Sequence, residues 1–113
     1  MKIYHNPRCS KSRQALQLLR DNQVEPEIIE YLKDTPTTEE LKEVLGMLGM
    51  KAEDLLRKGE ADFKENFKGK SLSEEEWIAA MVEYPKLIER PIVIKNKKAV
   101  VGRPPENVLS LID

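Results

Sequence analysis

Cys9, the single cysteine of the chain, stands among basic residues: His5 lies four positions before it, Arg8 beside it, Lys11 two positions after, and Arg13 four positions after. A lone cysteine is most often a small buried hydrophobe. Here the residues before Cys9 read as a strand and those after it as a helix. The sulfur therefore falls where unpaired helix amides and the positive end of the dipole favour an anion. Thiols in such places have pKa values lowered from about 8.5 into a range of roughly 3.5–7.5. A unit positive charge about 4 Å from a thiolate adds up to about 4 kcal/mol at an effective dielectric near 20, and less where solvent screens it. Cys9 is thus expected to be held as a thiolate, with His5 and Arg13 as thiolate-activating neighbours. The plainer alternatives are a solvated surface arginine and a histidine packed at a strand end.

Two further arginines each precede a proline, in Arg90-Pro91 and Arg103-Pro104. Proline disfavours the helical conformation for the residue before it, so both arginines are expected in extended backbone at strand ends. Pro91 is also a candidate cis proline, because such bonds are nearly confined to X-Pro. Arg57, after Leu55-Leu56, is less constrained. Arginines at strand ends are mostly solvated, but several guanidiniums converging on one thiolate would bind a small tetrahedral oxyanion through forked hydrogen bonds.

The elements that must position these groups follow from the hydrophobic pattern. Residues 2–5 read as a strand closed by Asn6-Pro7, and residues 10–21 as a helix whose buried face is Ser12, Ala15, Leu16 and Leu19. Residues 27–31 give a second strand, completing a βαβ unit with a right-handed crossover. The middle is helical. Thr37 with Glu40, and Ser73 with Glu76, have capping-box spacing. Gly49 is placed to end the first of those helices, a short helix spans residues 53–58, and Phe63 and Phe67 lie one turn apart. Pro85 stops the helix that carries Trp77, Ile78 and Met81. From Pro91 the pattern returns to strands, Ile92-Val93-Ile94 and Ala99-Val100-Val101, with Asn96-Lys97 as the hairpin turn. A last helix over 106–112 is expected to face Val108, Leu109 and Ile112 inward. The order is β-α-β, helices, then β-β-α. It predicts an α/β fold: one domain over residues 1–113, with a four-stranded mixed sheet and a helical insertion of about residues 37–89 between the second and third strands.

Composition narrows the function. The chain has 113 residues, 19 basic against 20 acidic, for a net charge of −1. That balance argues against a nucleic-acid partner. The longest uncharged apolar stretch, Val44 to Met50, is far short of the ~20 residues a membrane span needs. With no signal-peptide pattern at the start, a cytoplasmic protein is expected. One cysteine excludes an internal disulfide and the multi-cysteine zinc sites, and no metal is expected.

These residues resemble the ArsC family of glutaredoxin-linked arsenate reductases. The likeness is carried by Ile3-Tyr4-His5-Asn6-Pro7 with Cys9 and Arg13, by Pro26 through Leu32, by Pro36-Thr37, by Leu55-Leu56-Arg57-Lys58, and by Arg90-Pro91-Ile92-Val93 and Arg103-Pro104. It runs from about residue 2 to residue 112. The ending Gly102-Arg103-Pro104-Pro105-Glu106-Asn107 looks most like that of short chromosomal ArsC-like proteins, and Arg8 stands where a small residue is usual. The resemblance implies a thioredoxin-like fold and an arsenate reductase that takes part in arsenical resistance. Cys9 would be the nucleophile, Arg57, Arg90 and Arg103 would bind the oxyanion, and His5 and Arg13 would keep the thiol ionised. No cofactor is implied; glutathione would be the co-substrate and glutaredoxin the partner that clears Cys9.

Two other functions fit part of the pattern. Cys9-Ser10-Lys11-Ser12 has the C-x-x-S form of monothiol glutaredoxins, which lack the paired Arg-Pro segments. Spx-type redox regulators, which bind the RNA polymerase α subunit, share the fold and an Arg-Pro-Ile segment. They typically carry a C-x-x-C switch, where this chain has Ser12.

Overall fold

A computed structural model describes residues 1–112; Asp113, the last residue of the expected domain, lies outside the described residues. The fold is α/β, with a four-stranded mixed sheet and a helical segment inserted between the second and third strands. The chain divides into two compact units, one of Met1–Asp34 with the segment from Arg90 onward, the other Thr35–Glu89.

In the first unit, β1 (Lys2–Tyr4) leads through a turn into α1 (Ser10–Asp21), and β2 (Glu27–Ile29) follows. After the second unit come β3 (Ile92–Lys95) and β4 (Lys98–Val101), in the sheet order β2-β1-β3-β4. β1 pairs with β2 in parallel, and with β3 antiparallel. Residues with period 2 on the strands meet residues with helical period on α1. Ile3 and its register partner Val93 pack with Ala15, Leu16, Leu19, Val108 and Leu111. The buried face of α1 is Ser12, Ala15, Leu16 and Leu19, as its spacing predicts.

The second strand is shorter than expected. It ends at Ile29, and the chain turns at Glu30, whose carbonyl accepts from the amides of Lys33 and Asp34. Its ladder partner β1 ends at Tyr4, and past His5, whose amide donates to the Ile29 carbonyl, the chain leaves for the Pro7 turn. Glu30 and Tyr31 thus have no neighbouring strand. The last helix also differs. Residues Pro105–Leu111 form a 3-10 helix, whose three-residue turn brings Pro105, Val108 and Leu111 inward. Leu109, expected inside on an α-helical period, is exposed, and Ile112 is only half-buried.

The unit of residues 35–89 holds α2 (Thr38–Leu48), α3 (Ala52–Leu55), α4 (Ala61–Asn66) and α5 (Glu74–Glu83). Both expected capping boxes form, Thr37 with Glu40 and Ser73 with Glu76. Gly49 closes α2 in the left-handed conformation, φ 68°. The expected helix over 53–58 stops at Leu55 instead. Leu56 turns extended and bridges to Ile88, and the Arg57 amide donates to the Leu87 carbonyl at 2.8 Å, so backbone pairing displaces the helical turn. Phe63, Phe67, Trp77 and Tyr84 form a chain of ring contacts with centroids 5.6–6.4 Å apart. Such spacing adds stability beyond area burial.

Two glycines have opposite surroundings. A Cβ on Gly102 would meet Pro91 Cγ at 2.9 Å, Val108 Cγ1 at 3.1 Å and Ala15 Cβ at 3.3 Å, whereas Gly46, inside α2, has nothing within 4 Å. The Pro91 ring cannot swing aside. Gly102→Ala is expected to lower unfolding stability by about 1–3 kcal/mol, and Gly46→Ala to raise it by about 0.5–1 kcal/mol. Urea midpoints check both; equal midpoints for the two variants would contradict the packing described.

Candidate functional site

The site begins with a turn. Asn6 and Pro7 occupy the first two positions of a four-residue reversal in which the Cys9 amide donates to the Asn6 carbonyl at 3.0 Å. The Asn6 side chain supports it, its Oδ1 accepting from the Arg8 amide at 3.0 Å. Arg13 reaches back from α1, and its Nη1 donates to the Pro7 carbonyl at 2.8 Å. The reversal delivers Cys9 to the N-cap of α1, in extended backbone (φ −93°, ψ 123°), with no side-chain capping hydrogen bond.

Ser12 locks the turn from below. Its hydroxyl is fully buried, lies 2.6 Å from His5 Nδ1, and accepts from the Asn6 amide at 3.0 Å. Both contacts are satisfied when the hydroxyl donates its hydrogen to Nδ1 while its oxygen accepts that of the Asn6 amide, an arrangement with the imidazole proton on Nε2. Burial, the largest influence on His5, lowers its pKa below the ordinary value, against the opposing charge of Glu30. The ring is therefore neutral at pH 7. Its part here is to close a buried hydrogen bond, and Arg13 spends a guanidinium hydrogen on the turn itself.

Cys9 is 9 % exposed. Burial acts first on its thiol and pushes the pKa up, but the opposing influences prevail and the net shift is downward. They are the Ser12 backbone amide, the positive charge of Arg90, the Lys11 backbone amide, and hydrogen bonding from the Arg90 side chain. Two sequence-distant residues thus meet: the sulfur at the start of α1 and the arginine just before β3. The hairpin register explains how Arg103 comes to the same end. Ile92 pairs with Val101, and the Gly102 amide donates to the Pro91 carbonyl at 2.8 Å, so the next residues outward on the two arms are Arg90 and Arg103. Both Arg-Pro bonds are cis. Arg90 is half-buried, whereas Arg103 is exposed, with its carbonyl held by Asn107 Nδ2 at 3.1 Å.

Arg57 belongs to the other unit. Its Nη1 lies 3.1 Å from Glu60 Oε2, its Nε lies 3.9 Å from Glu89 Oε1, and Nη1 also donates to the Lys86 carbonyl at 3.3 Å. Two carboxylates therefore accompany the guanidinium expected to hold an oxyanion. Among the described residues no cluster of histidine, cysteine and carboxylate side chains could hold a metal ion, and no helix is long and apolar enough to cross a membrane.

Asn6 and Ser12 escaped the sequence reading as site-holding residues, though each left a signal. Asn-Pro is a turn-forming pair, and Ser12 is the one polar side chain on the buried stripe of α1.

Comparison with known proteins bears on the family and the fold. The ArsC family model matches residues 4–111. Over 99 % of its length the chain is 54 % identical to YfgD of Escherichia coli (strain K12), described as an uncharacterized protein, and covers 96 % of it. It is 40 % identical to an arsenate reductase of Neisseria meningitidis serogroup B, across 99 % of this chain and 97 % of that one. The solved structure of an arsenate reductase from Vibrio cholerae superposes with a TM-score of 0.93 at 46 % identity, covering 99 % of this chain and 98 % of its own.

A lowered pKa means that the anion persists to lower pH, so alkylation slows only as pH falls through the lowered value. The rate of Cys9 alkylation by iodoacetamide is expected to have its midpoint below about 8.5, and Arg90→Ala to move that midpoint upward. A wild-type midpoint at the ordinary thiol value, or none displaced in the variant, would contradict the geometry. Ser12→Ala strands His5 Nδ1 and the Asn6 amide, and should cost about 1–3 kcal/mol in denaturant unfolding.

Proposed function

The chain belongs to the ArsC family, and from that premise we propose that it reduces arsenate to arsenite through the Cys9 thiolate. One observation carries the reading: a thiol of lowered pKa at a helix start, beside the Arg90 guanidinium. The similarity to proteins named arsenate reductase supports the choice of oxyanion.

The thiolate attacks arsenic and displaces hydroxide, which leaves as water after taking a proton, and a sulfur–arsenic bond forms. Arg90 and Arg103, outermost on the two arms of the hairpin, are proposed to offset the negative charge on the arsenate oxygens. Arg57 joins them on the family likeness alone. The Asn6–Cys9 reversal holds the sulfur in place, with Arg13 and the neutral His5 acting through it rather than on substrate.

The adduct then needs an external thiol, because the chain has no second cysteine. Ser12 stands where a resolving cysteine could be, and its buried hydroxyl is occupied by His5 and Asn6. A glutathione thiolate attacks Cys9 Sγ and forms a sulfur–sulfur bond. The electron pair of the breaking sulfur–arsenic bond stays on arsenic, which leaves as arsenite. Two thiols are oxidised to one mixed disulfide while As(V) becomes As(III), so the electrons balance. Glutaredoxin then returns Cys9 to the thiol by exchange.

The test is NADPH oxidation in a coupled assay of arsenate, glutathione, glutaredoxin and glutathione reductase. Wild-type protein should turn over, Cys9→Ser should fall to background, and Arg90→Ala should lose about 100-fold or more in kcat/KM. Turnover of a glutathionylated substrate without any of arsenate would replace this reading with that of a monothiol oxidoreductase.

A further inference from the structure

The first turn of α1 reverses the usual charge pattern of a helix start. Each of the other four α-helices carries acidic residues there: Glu39 and Glu40, Glu53 and Asp54, Asp62, and Glu74 to Glu76. Such placement answers the positive end of the dipole. α1 has none and carries Lys11 and Arg13 instead, with Arg8 immediately before its N-cap. This arrangement is electrostatically unfavourable in the absence of an anion.

The Cys9 thiolate at the N-cap answers the helix end in part, and among the described residues no carboxylate pairs with the cations beside it in sequence. Arg20, Lys33, Lys42 and Arg57 have carboxylate partners within 4.0 Å. Neither the Arg8 guanidinium nor the Lys11 ammonium has one, and both side chains are exposed. They flank Cys9 in sequence, one on each side of the N-cap. Arg13 differs, being held by the Pro7 carbonyl. Unlike Arg90, Arg8 and Lys11 contribute no side-chain influence to the lowering of the Cys9 pKa, to which Lys11 lends only its backbone amide. Two exposed cations that neither hold the turn nor ionise the sulfur are free to meet charge on a molecule approaching from solvent.

We infer that Arg8 and Lys11 select the thiol that attacks Cys9, by attracting carboxylates on it. The inference rests on the proposed function for the existence of a resolving step, and it names the residues that read the second substrate. The positions match the chemistry. The attacking sulfur must approach along the bond it breaks, so the rest of the incoming molecule stays in solvent, to which Arg8 and Lys11 are exposed. At a separation of about 7 Å in water, one cation on one carboxylate changes the encounter about threefold.

The experiment needs no arsenic. Cys9 is first converted to a neutral mixed disulfide with 4,4′-dithiodipyridine. An added thiolate then attacks Cys9 Sγ, a new disulfide forms, and thiopyridone leaves with the electron pair and is read by its absorbance. Glutathione, 2-mercaptoethanol and cysteamine supply an anion, a neutral thiol and a cation, each rate being divided by its thiolate concentration. At low ionic strength the wild type should prefer glutathione over 2-mercaptoethanol, and both over cysteamine. Relative to a pyridyl disulfide of a short neutral peptide, the preference for glutathione should be about threefold or more. It should collapse when salt shortens the Debye length from about 30 Å to about 3 Å. Arg8→Ala and Lys11→Ala should each reduce it about threefold while leaving the 2-mercaptoethanol rate unchanged. A glutathione preference unaltered in both variants, or a Cys9 that cannot be loaded at all, overturns the inference. If selectivity appears but arsenate is not turned over, the arsenate reading falls and the selection of thiol by charge stands.

Discussion

The Ser12 hydroxyl, buried where β1 gives way to α1, is the contact on which the rest of the site depends. It accepts from the Asn6 amide and bonds His5, so the end of the strand and the first turn of the helix cannot separate without stranding buried polar groups. Between these anchors only Pro7, Arg8, Cys9, Ser10 and Lys11 remain, and the Asn6 side chain and Arg13 fix the first of them. The sulfur has little room to be anywhere but at the N-cap. An activated thiol needs that constancy, because the amide dipoles that favour its anion fall off within one turn. A neutral, buried histidine is suited to such an anchor, since a charged one would oppose its own burial.

Much of this was legible in the sequence because the signals were local. The face of α1, both capping boxes, the left-handed Gly49 and the two strands after Pro91 are all set by residues within a turn or two of each other. Element ends that depend on distant partners were not legible. Glu30 and Tyr31 have strand-forming character, yet β1 offers them no edge, and Leu56 leaves the helix because Ile88 pairs with it. The final helix failed for a different reason. Its apolar residues fit either a three-residue or a 3.6-residue repeat, and only packing against α1 and β4 decides between them.

For the site itself, sequence reasoning singled out the sulfur and Arg90 but not the order in which its neighbours influence Cys9. Proximity along the chain favoured His5 and Arg13, whereas Arg90, eighty-one positions away, is the side chain whose charge and hydrogen bond act on Cys9. Sequence neighbours of a functional group are often engaged in holding the loop that carries it. The residue that acts on it can then come from another strand of the same sheet. Arg57 shows the converse: its type is right for an anion, but Glu60 and Glu89 accompany it within its own unit, which the sequence pattern did not foretell.

The β3–β4 hairpin sets the separation between two cationic side chains by counting residues. Ile92 faces Val101, Pro91 meets Gly102, and Arg90 and Arg103 come next, so the match holds only while the tip at Asn96-Lys97 keeps its length. Adding or removing a single residue at that tip, roughly 20 Å away along the strands, would slide one arm past the other and leave the guanidiniums out of step. Gly102 would then no longer lie against the Pro91 ring. A surface turn of lysines and asparagine, which looks free to vary, is by this reasoning a ruler whose graduation the arginine-bearing end of the sheet must obey.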